Sequence, residues 1–322
     1  MKIGQLFLGL GLGVLSAVGL AQTYPSKPVT LVVGFPPGGG ADAVARQVAD
    51  QLGRQLGQPM ILDYRPGGGT TLASAYVAKA APDGYTVYMT SASHYGADKV
   101  LYKNSVKYDG NSFTPIARWT RTPLILAVGA SSGLASTQDL VTHAKAKPGE
   151  LSYSSSGSGG APHLAALQFE AAANLKMLHV PFKGGAPAVT AVASGDVQLT
   201  FGTPPSIIPL AQTGRVKMIA VTSAERSAAF PNLPTLSEAG IKDIDYTFWF
   251  GLFGPAGLPK EIVDRLAEAS AKALAEPELK AKLAASGNSV SVSKSPAEFA
   301  AWAQSEGQHL KMLTEKSGAT VD

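Results

Sequence analysis

The sequence predicts an α/β protein of two domains, and three observations carry the prediction. Strand-like apolar runs alternate with helical periodicities along almost the whole chain, the pattern of layers built around largely parallel sheets. A glycine-rich turn recurs where a strand gives way to a helix, at Gly38–Gly40, Gly157–Gly160 and Gly184–Gly185. The 322 residues, 45% hydrophobic and 16% charged, suffice for two cores and lie outside the composition of disordered chains.

The first element is an export signal. Lys2 precedes an apolar run from Ile3 to Leu20, and the small residues Gly19 and Ala21 mark a cleavage site before Gln22. The glycines that interrupt the run favour a cleaved signal over residues 1–21 above a retained membrane anchor. The first strand is Val29–Gly34. It opens through Phe35-Pro36-Pro37-Gly38-Gly39-Gly40-Ala41-Asp42 into a helix whose Val44, Val48, Leu52 and Leu56 recur every four residues. Met60–Tyr64 is a second strand, followed by the turn Gly67–Gly69 and a short Ala-rich helix over Leu72–Ala80. Pro82-Asp83-Gly84 has turn chemistry, and the strand Tyr85–Met89 runs into Ser91, Ser93 and His94.

A second α/β unit follows, with strands at Leu124–Val128, Leu151–Ser154, Met177–Val180, Val197–Phe201 and Val216–Val221. Helices between them start at Ser136, Ala161, Gly185 and Ser206. Pro231 and Pro234 break the chain, Tyr246–Phe253 reads as a buried strand, and two amphipathic helices close the sequence. Residues 22–121 with 225–322 are expected to form one domain and 122–224 the other. The chain would cross between them near Trp119–Thr122 and Thr222–Arg226.

Charge and composition exclude several functions. Lys and Arg number 27 against 23 Asp and Glu, and loss of Lys2 leaves 26 against 23, a net of +3 with no basic stripe for nucleic acid. Without cysteine there is no disulfide and no thiolate nucleophile. The five histidines show no metal-type spacing. No cofactor is expected. Gly38-x-Gly40-x-x-Ala43 with Asp63 imitates a dinucleotide fingerprint, but Pro36-Pro37 stiffens the turn and no acid–base set accompanies it. Gly129-Ala130-Ser131-Ser132-Gly133 imitates a nucleophile elbow, which makes an exported serine hydrolase using Ser131 the alternative reading. An elbow must pass straight into a helix, whereas here a good N-cap sequence comes later, at Ser136-Thr137-Gln138-Asp139.

The remaining chemistry is anion binding. Three glycines admit close backbone approach, and a helix N-terminus offers unpaired N–H groups with partial positive charge. Phe35, Gly39, Gly40 and Ala41 are therefore candidate ligand contacts, unless the loop is a tight turn without a ligand. Asp42 should turn back onto loop or helix N–H groups. Ser155, Ser156, Gly159 and His163 offer hydroxyls and N–H groups that suit a carboxylate, or form a flexible Gly/Ser loop. Lys183, before Gly184, would add a full charge unless merely solvated. Ser91, Ser93 and His94, with Gly202 and Thr203, end further strands where ligands of open α/β sheets sit.

Together these residues resemble the Bug-type solute receptors of tripartite tricarboxylate transporters. The resemblance rests on Tyr24-Pro25-x-Lys27-Pro28-Val29, Gly34-Phe35-Pro36-Pro37-Gly38-Gly39 with Asp42, and Ala80-Ala81-Pro82-Asp83-Gly84-Tyr85-Thr86. It continues through Ser155-Ser156-Gly157-x-Gly159 with His163, His179-Val180-Pro181-Phe182-Lys183-Gly184-Gly185-Ala186-Pro187, and Gly251-Leu252-Phe253-Gly254-Pro255. It implies a two-domain periplasmic binding protein of type II-like fold, with a ligand cleft between the domains. It implies no catalysis, a small carboxylate ligand, and a monomer that serves the membrane subunits of a transporter from the periplasm. Tyr64 stands where relatives commonly carry Asn, and Gly202-Thr203 where many carry Asp. The second change removes a partner for a ligand amine and points to di- or aromatic carboxylates.

Overall fold

An apolar run without polar alternation forms a strand where both faces are covered, and Val29–Val33 (β1) is almost wholly buried. It pairs in parallel with β2 (Met60–Tyr64) and β3 (Thr86–Thr90). Helix α1 (Gly40–Leu56) buries Val44, Val48, Leu52 and Leu56, the expected stripe, and ends at Gly57 in the left-handed region. Helices α2 (Thr71–Val77) and α3 (Ala97–Leu101) precede β4 (Phe113–Pro123). The computed structural model describes residues 24–317 apart from 228 and 243, so the signal segment lies outside the described residues.

The second unit runs β5 (Ile125–Gly129), α4 (Thr137–Ala146), β6 (Ser152–Ser155), α5 (Ala161–Ala173), β7 (Leu178–Pro181) and α6 (Gly185–Ser194). It continues with β8 (Leu199–Gly202), α7 (Pro204–Gln212) and β9 (Val216–Val221). The chain then returns through β10 (Thr247–Pro255), α8 (Lys260–Ala275), α9 (Pro277–Ala285), β11 (Ser289–Val290) and α10 (Pro296–Ser317). A six-stranded sheet has the order β11-β4-β10-β3-β1-β2, and a five-stranded sheet β7-β6-β8-β5-β9. Among the described residues no helix is long and apolar enough to cross a membrane.

The sheets are mixed, which corrects the expectation of largely parallel pairing. Strand β10 runs antiparallel to both β3 and β4, and β5 antiparallel to both β8 and β9. The cause lies in the connections. Strand β4 carries the chain out of the first sheet and β10 brings it back, so the two lie side by side in opposite directions.

The chain changes sheet at Leu124 and returns between Val221 and Thr247. Buried Thr222 ties the two passages together. Its hydroxyl accepts from the Leu124 N–H at 2.9 Å and donates to the Tyr246 carbonyl at 2.6 Å. Its backbone bonds the same two residues, with Thr222 N–H on Leu124 O and Tyr246 N–H on Thr222 O. Buried backbone groups must find partners, and here one threonine supplies them for both crossings.

Candidate functional site

Ligands of open α/β sheets bind beyond the carboxyl ends of parallel strands. Strands β1, β6, β7 and β8 each end there in a short loop that opens a helix, α1, α5, α6 and α7 respectively. Residues from the first turn of α1, α5 and α6, and the N-cap Thr203 of α7, line one cleft between the two sheets. None of the four N-caps, Gly39, Gly160, Gly184 and Thr203, makes a side-chain capping bond. Helix α4, which does not line this cleft, is capped by Ser136 accepting from the Asp139 N–H. Prolines at the start of α5 and α7 remove donors there. Helix α6 also loses one donor, at Pro187, but keeps those of Gly185 and Ala186, while α1 has no proline; these two starts approach each other, since a Cβ built on Gly39 would lie 4.0 Å from the Gly185 nitrogen. Two helix ends with partial positive charge suit a carboxylate without any formal cation.

The three glycines before α1 serve three purposes. Gly38 has φ +90°, which only glycine adopts freely. Gly39 has extended backbone that any residue allows, so its lack of a side chain keeps space open. A Cβ on Gly40 would come within 2.6 Å of the Thr203 hydroxyl, so the two domains touch here. Asp42 turns back onto the loop as expected, accepting from the Gly38 N–H at 2.9 Å and from Arg46 at 2.7 Å. Tyr64 also donates to it, which gives the unusual residue a role. Burial raises the Asp42 carboxyl, but the Tyr64 and Gly38 bonds and the Arg46 charge outweigh it and hold the group below its usual range. Burial and the same bond push the Tyr64 phenol up to about 12.

Phe35, Pro36 and Ser156 divide the cleft, because they line both of its chambers. The inner chamber, about 530 Å³ counted with its opening to solvent, also takes in Gly39, Gly40, Ala41, Gly202 and Thr203 from the sequence-derived set. Among the described residues it is lined by no charged side chain. The outer chamber, about 1300 Å³ with its mouth, is lined by Lys183 and Gly184 together with Gly67–Gly69 and Tyr102. Lys183 is exposed there and lines the outer chamber, not the inner one. The Tyr102 hydroxyl donates to Ser158 O across the cleft at 3.1 Å, and Gly184 packs on Pro36, where a Cβ would meet Cγ at 2.7 Å.

Sequence reasoning missed Phe248 and Phe250, which line the inner chamber with Pro162, Ala188, Val189 and Thr200. Their i, i+2 spacing put them on one face of β10, and the register shift at Phe250/Gly251 marks a bulge, a device that re-aims side chains. That spacing was the available signal, but an apolar run hides which face meets a cavity.

Several expected contacts support the site from behind instead of lining it. Buried Ser155 bonds His179 Nε2 at 2.7 Å and the Gly157 carbonyl at 3.1 Å. The Gly159 N–H donates to His163 Nδ1 at 2.9 Å. His163 and His179 stack at 3.9 Å and 6°, and Tyr153 lies beside both rings, 5.0 Å from His179 and 6.4 Å from His163. These rings hold the Ser/Gly loop in shape. Gly159 packs against Leu101, so it sits at the domain contact and not on the chamber wall. His94 is fully buried among Tyr95, Phe113 and Phe253, away from the cleft, because that aromatic cluster offers a larger gain from burial than the loop surface. Ser91 is buried beside it and lines neither chamber; the Ser93 side chain lies outside the described residues.

These histidines make stability pH-dependent. Burial pushes His94 and His163 down to about 3 and His179 to about 4. Unfolded histidine titrates near 6.5, so their contribution is complete above that pH and drains away below it. Burial pushes Asp98 up to about 7 against its bond from Tyr108, and its protonation adds stability over the same interval. Glu170 and Glu306, also raised by burial, oppose the loss further towards acid. Three imidazoles against one carboxyl leave a net loss between pH 6.5 and 5, about 1.4 kcal/mol per pH unit for each unopposed proton. Scanning calorimetry should show the melting temperature falling over that interval, and more steeply in Asp98→Asn. A flat profile would mean that the imidazoles are hydrated.

Ser131 lies in a single 3₁₀ turn, Ala130–Ser132, that ends at left-handed Gly133. Helix α4 starts only at Thr137, so no nucleophile elbow forms.

The family model for the tripartite tricarboxylate transporter family receptor matches residues 44–319. The chain is 34% identical over 278 residues to a UPF0065 protein in the tcbD–tcbE intergenic region of Pseudomonas sp. (strain P51), covering 83% of this chain and 82% of that one. It is similar to the solved structure of R. palustris Rpa4515 with adipate, at 32% identity and TM-score 0.87 over 92% of this chain and 100% of that one. It is also similar to MatC (Rpa3494) from Rhodopseudomonas palustris with bound malate, at 29% identity and TM-score 0.83 over 90% and 100%.

Proposed function

The chain belongs to the tripartite tricarboxylate transporter receptor family, and from that premise we propose that it captures a small carboxylate, of the di- or aromatic kind, between its two domains. The observation that carries this reading is the pair of uncapped N-termini, α1 and α6, facing one another across a chamber without a charged side chain. Backbone N–H groups there take the place of a formal cation, and their helix dipoles add to the attraction. The adipate and malate held by the two similar structures support a carboxylate.

The reading includes export through a cleaved signal, capture as a monomer in the periplasm, and release to the membrane subunits of a transporter, without turnover of the ligand. Residues 22–121 with 225–322 and residues 122–224 act as the two bodies, hinged where Thr222 joins the crossings. Each body holds only part of the anion, so the ligand favours the closed arrangement.

A melting screen of the mature protein against small carboxylates tests this. A ligand at a hundred times its Kd should stabilise by about 2.7 kcal/mol. Small-angle scattering should give a smaller radius of gyration with saturating ligand. If carboxylates stabilise no better than their uncharged methyl esters, the anion reading fails.

A further inference from the structure

The inner chamber carries more than an anion site. Phe248 and Phe250, both lining the chamber, form an edge-to-face pair 4.5 Å apart at 81°. Val189 and Phe35 complete an apolar wall around them. The Thr200 hydroxyl is committed to the Ser154 carbonyl at 2.9 Å, and Thr203 pairs with Ser206 at 3.1 Å. The remaining polar chemistry is the Ser156 hydroxyl and the backbone N–H groups at the starts of α1, α5 and α6, and the Phe248–Phe250 pair forms an aromatic part of the wall.

We propose that the inner chamber selects aromatic monocarboxylates, with the carboxylate on the α1 and α6 N-termini and the ring against Phe248 and Phe250. The proposal rests on the carboxylate reading above and names its substrate class. An aromatic ring gains both burial and edge-to-face contact with the phenylalanine pair. A second carboxylate against the Phe248–Phe250 wall would lose its hydration with no charged side chain lining the chamber to replace it. Lys183, the one cation lining either chamber among the described residues, is exposed in the outer chamber beyond the Phe35–Pro36 and Ser156 partition. Aliphatic dicarboxylates therefore meet a wall that suits neither their charge nor their shape. Gly202 and Thr203 likewise place no acid at the chamber for a ligand ammonium.

Titration calorimetry on the mature wild-type chain with benzoate, phenol, adipate and malate tests this, alongside Phe250→Leu and Phe248→Leu. Benzoate should bind at least about tenfold more tightly than adipate or malate, and phenol not measurably, since a ring alone leaves the helix termini unfilled. Each leucine variant should weaken benzoate about tenfold and change the dicarboxylates less than about twofold, the aromatic contact being what is lost. Thermal melts of the ligand-free variants show that each is folded, and either variant alone suffices for the comparison. Tighter binding of adipate or malate than of benzoate, or equal losses for both classes in the variants, overturns the aromatic assignment and leaves the carboxylate reading standing. If none of the three carboxylates binds the wild type, the carboxylate reading itself fails and the assignment with it.

Discussion

Gly39→Val should abolish carboxylate binding while leaving the fold intact. Gly39 has φ −103° and ψ −175°, extended backbone that a β-branched residue accepts readily. Its Cβ direction leads into open space, with the Gly185 nitrogen of the facing helix 4.0 Å away. Valine methyl groups would fill the gap between the two N-termini, where the anion is proposed to sit. Each hydrogen bond to a charged group is worth about 1.5–3 kcal/mol, so losing two lowers affinity by about a hundredfold or more. Calorimetry reads the affinity, and a melting curve of the free protein within about 1 kcal/mol of wild type shows that the loss is local. Unchanged affinity would place the site elsewhere, most simply in the outer chamber. Gly40→Val makes a useful contrast. It should weaken binding through the clash with Thr203, by obstructing closure instead of occupying the anion's place.

Asp42→Ala carries the second large effect, and its sign separates two roles. A carboxylate in the first turn of α1 either repels a bound anion or organises the loop that binds it. Its three partners, Gly38, Tyr64 and Arg46, argue for organisation. Removing it strands the Gly38 N–H and loosens the turn that aims the Gly39–Ala41 backbone. Loss of a charge-assisted bond of about 1.5–3 kcal/mol should weaken ligand binding roughly tenfold, with a lower melting temperature in the free protein. Asp42→Asn keeps an acceptor and should fall between. Tighter binding by Asp42→Ala would instead show that repulsion dominates.

The legible part of this molecule was its backbone. The stripe Val44, Val48, Leu52 and Leu56 lies on one helix face and is buried. The helices expected at Ala161 and Gly185 begin there. The Pro pair that opens α7 moved its start two residues ahead of the expected Ser206. The long strand β4 was read only as a crossover at its end, since Phe113–Pro123 alternates too weakly to announce eleven residues of pairing. Short elements such as α3 and β11 were not legible, because tertiary packing and not local propensity stabilises so few residues.

By itself the sequence determined the loops and helix starts proposed to hold the anion. Glycine where a side chain would obstruct, and uncapped helix starts after parallel strands, are properties of consecutive residues, so local order spells them out. Tertiary structure alone decided what surrounds them. The bulged register of β10 against β4 brought Phe248 and Phe250 to a chamber opened by Gly39, more than two hundred residues earlier in the chain. It put Lys183 beyond the Phe35–Pro36 partition, buried His94 in an aromatic core, and set His163 and His179 behind the Ser/Gly loop. Which way a side chain faces depends on the register of distant partners, and no run of neighbouring residues encodes that.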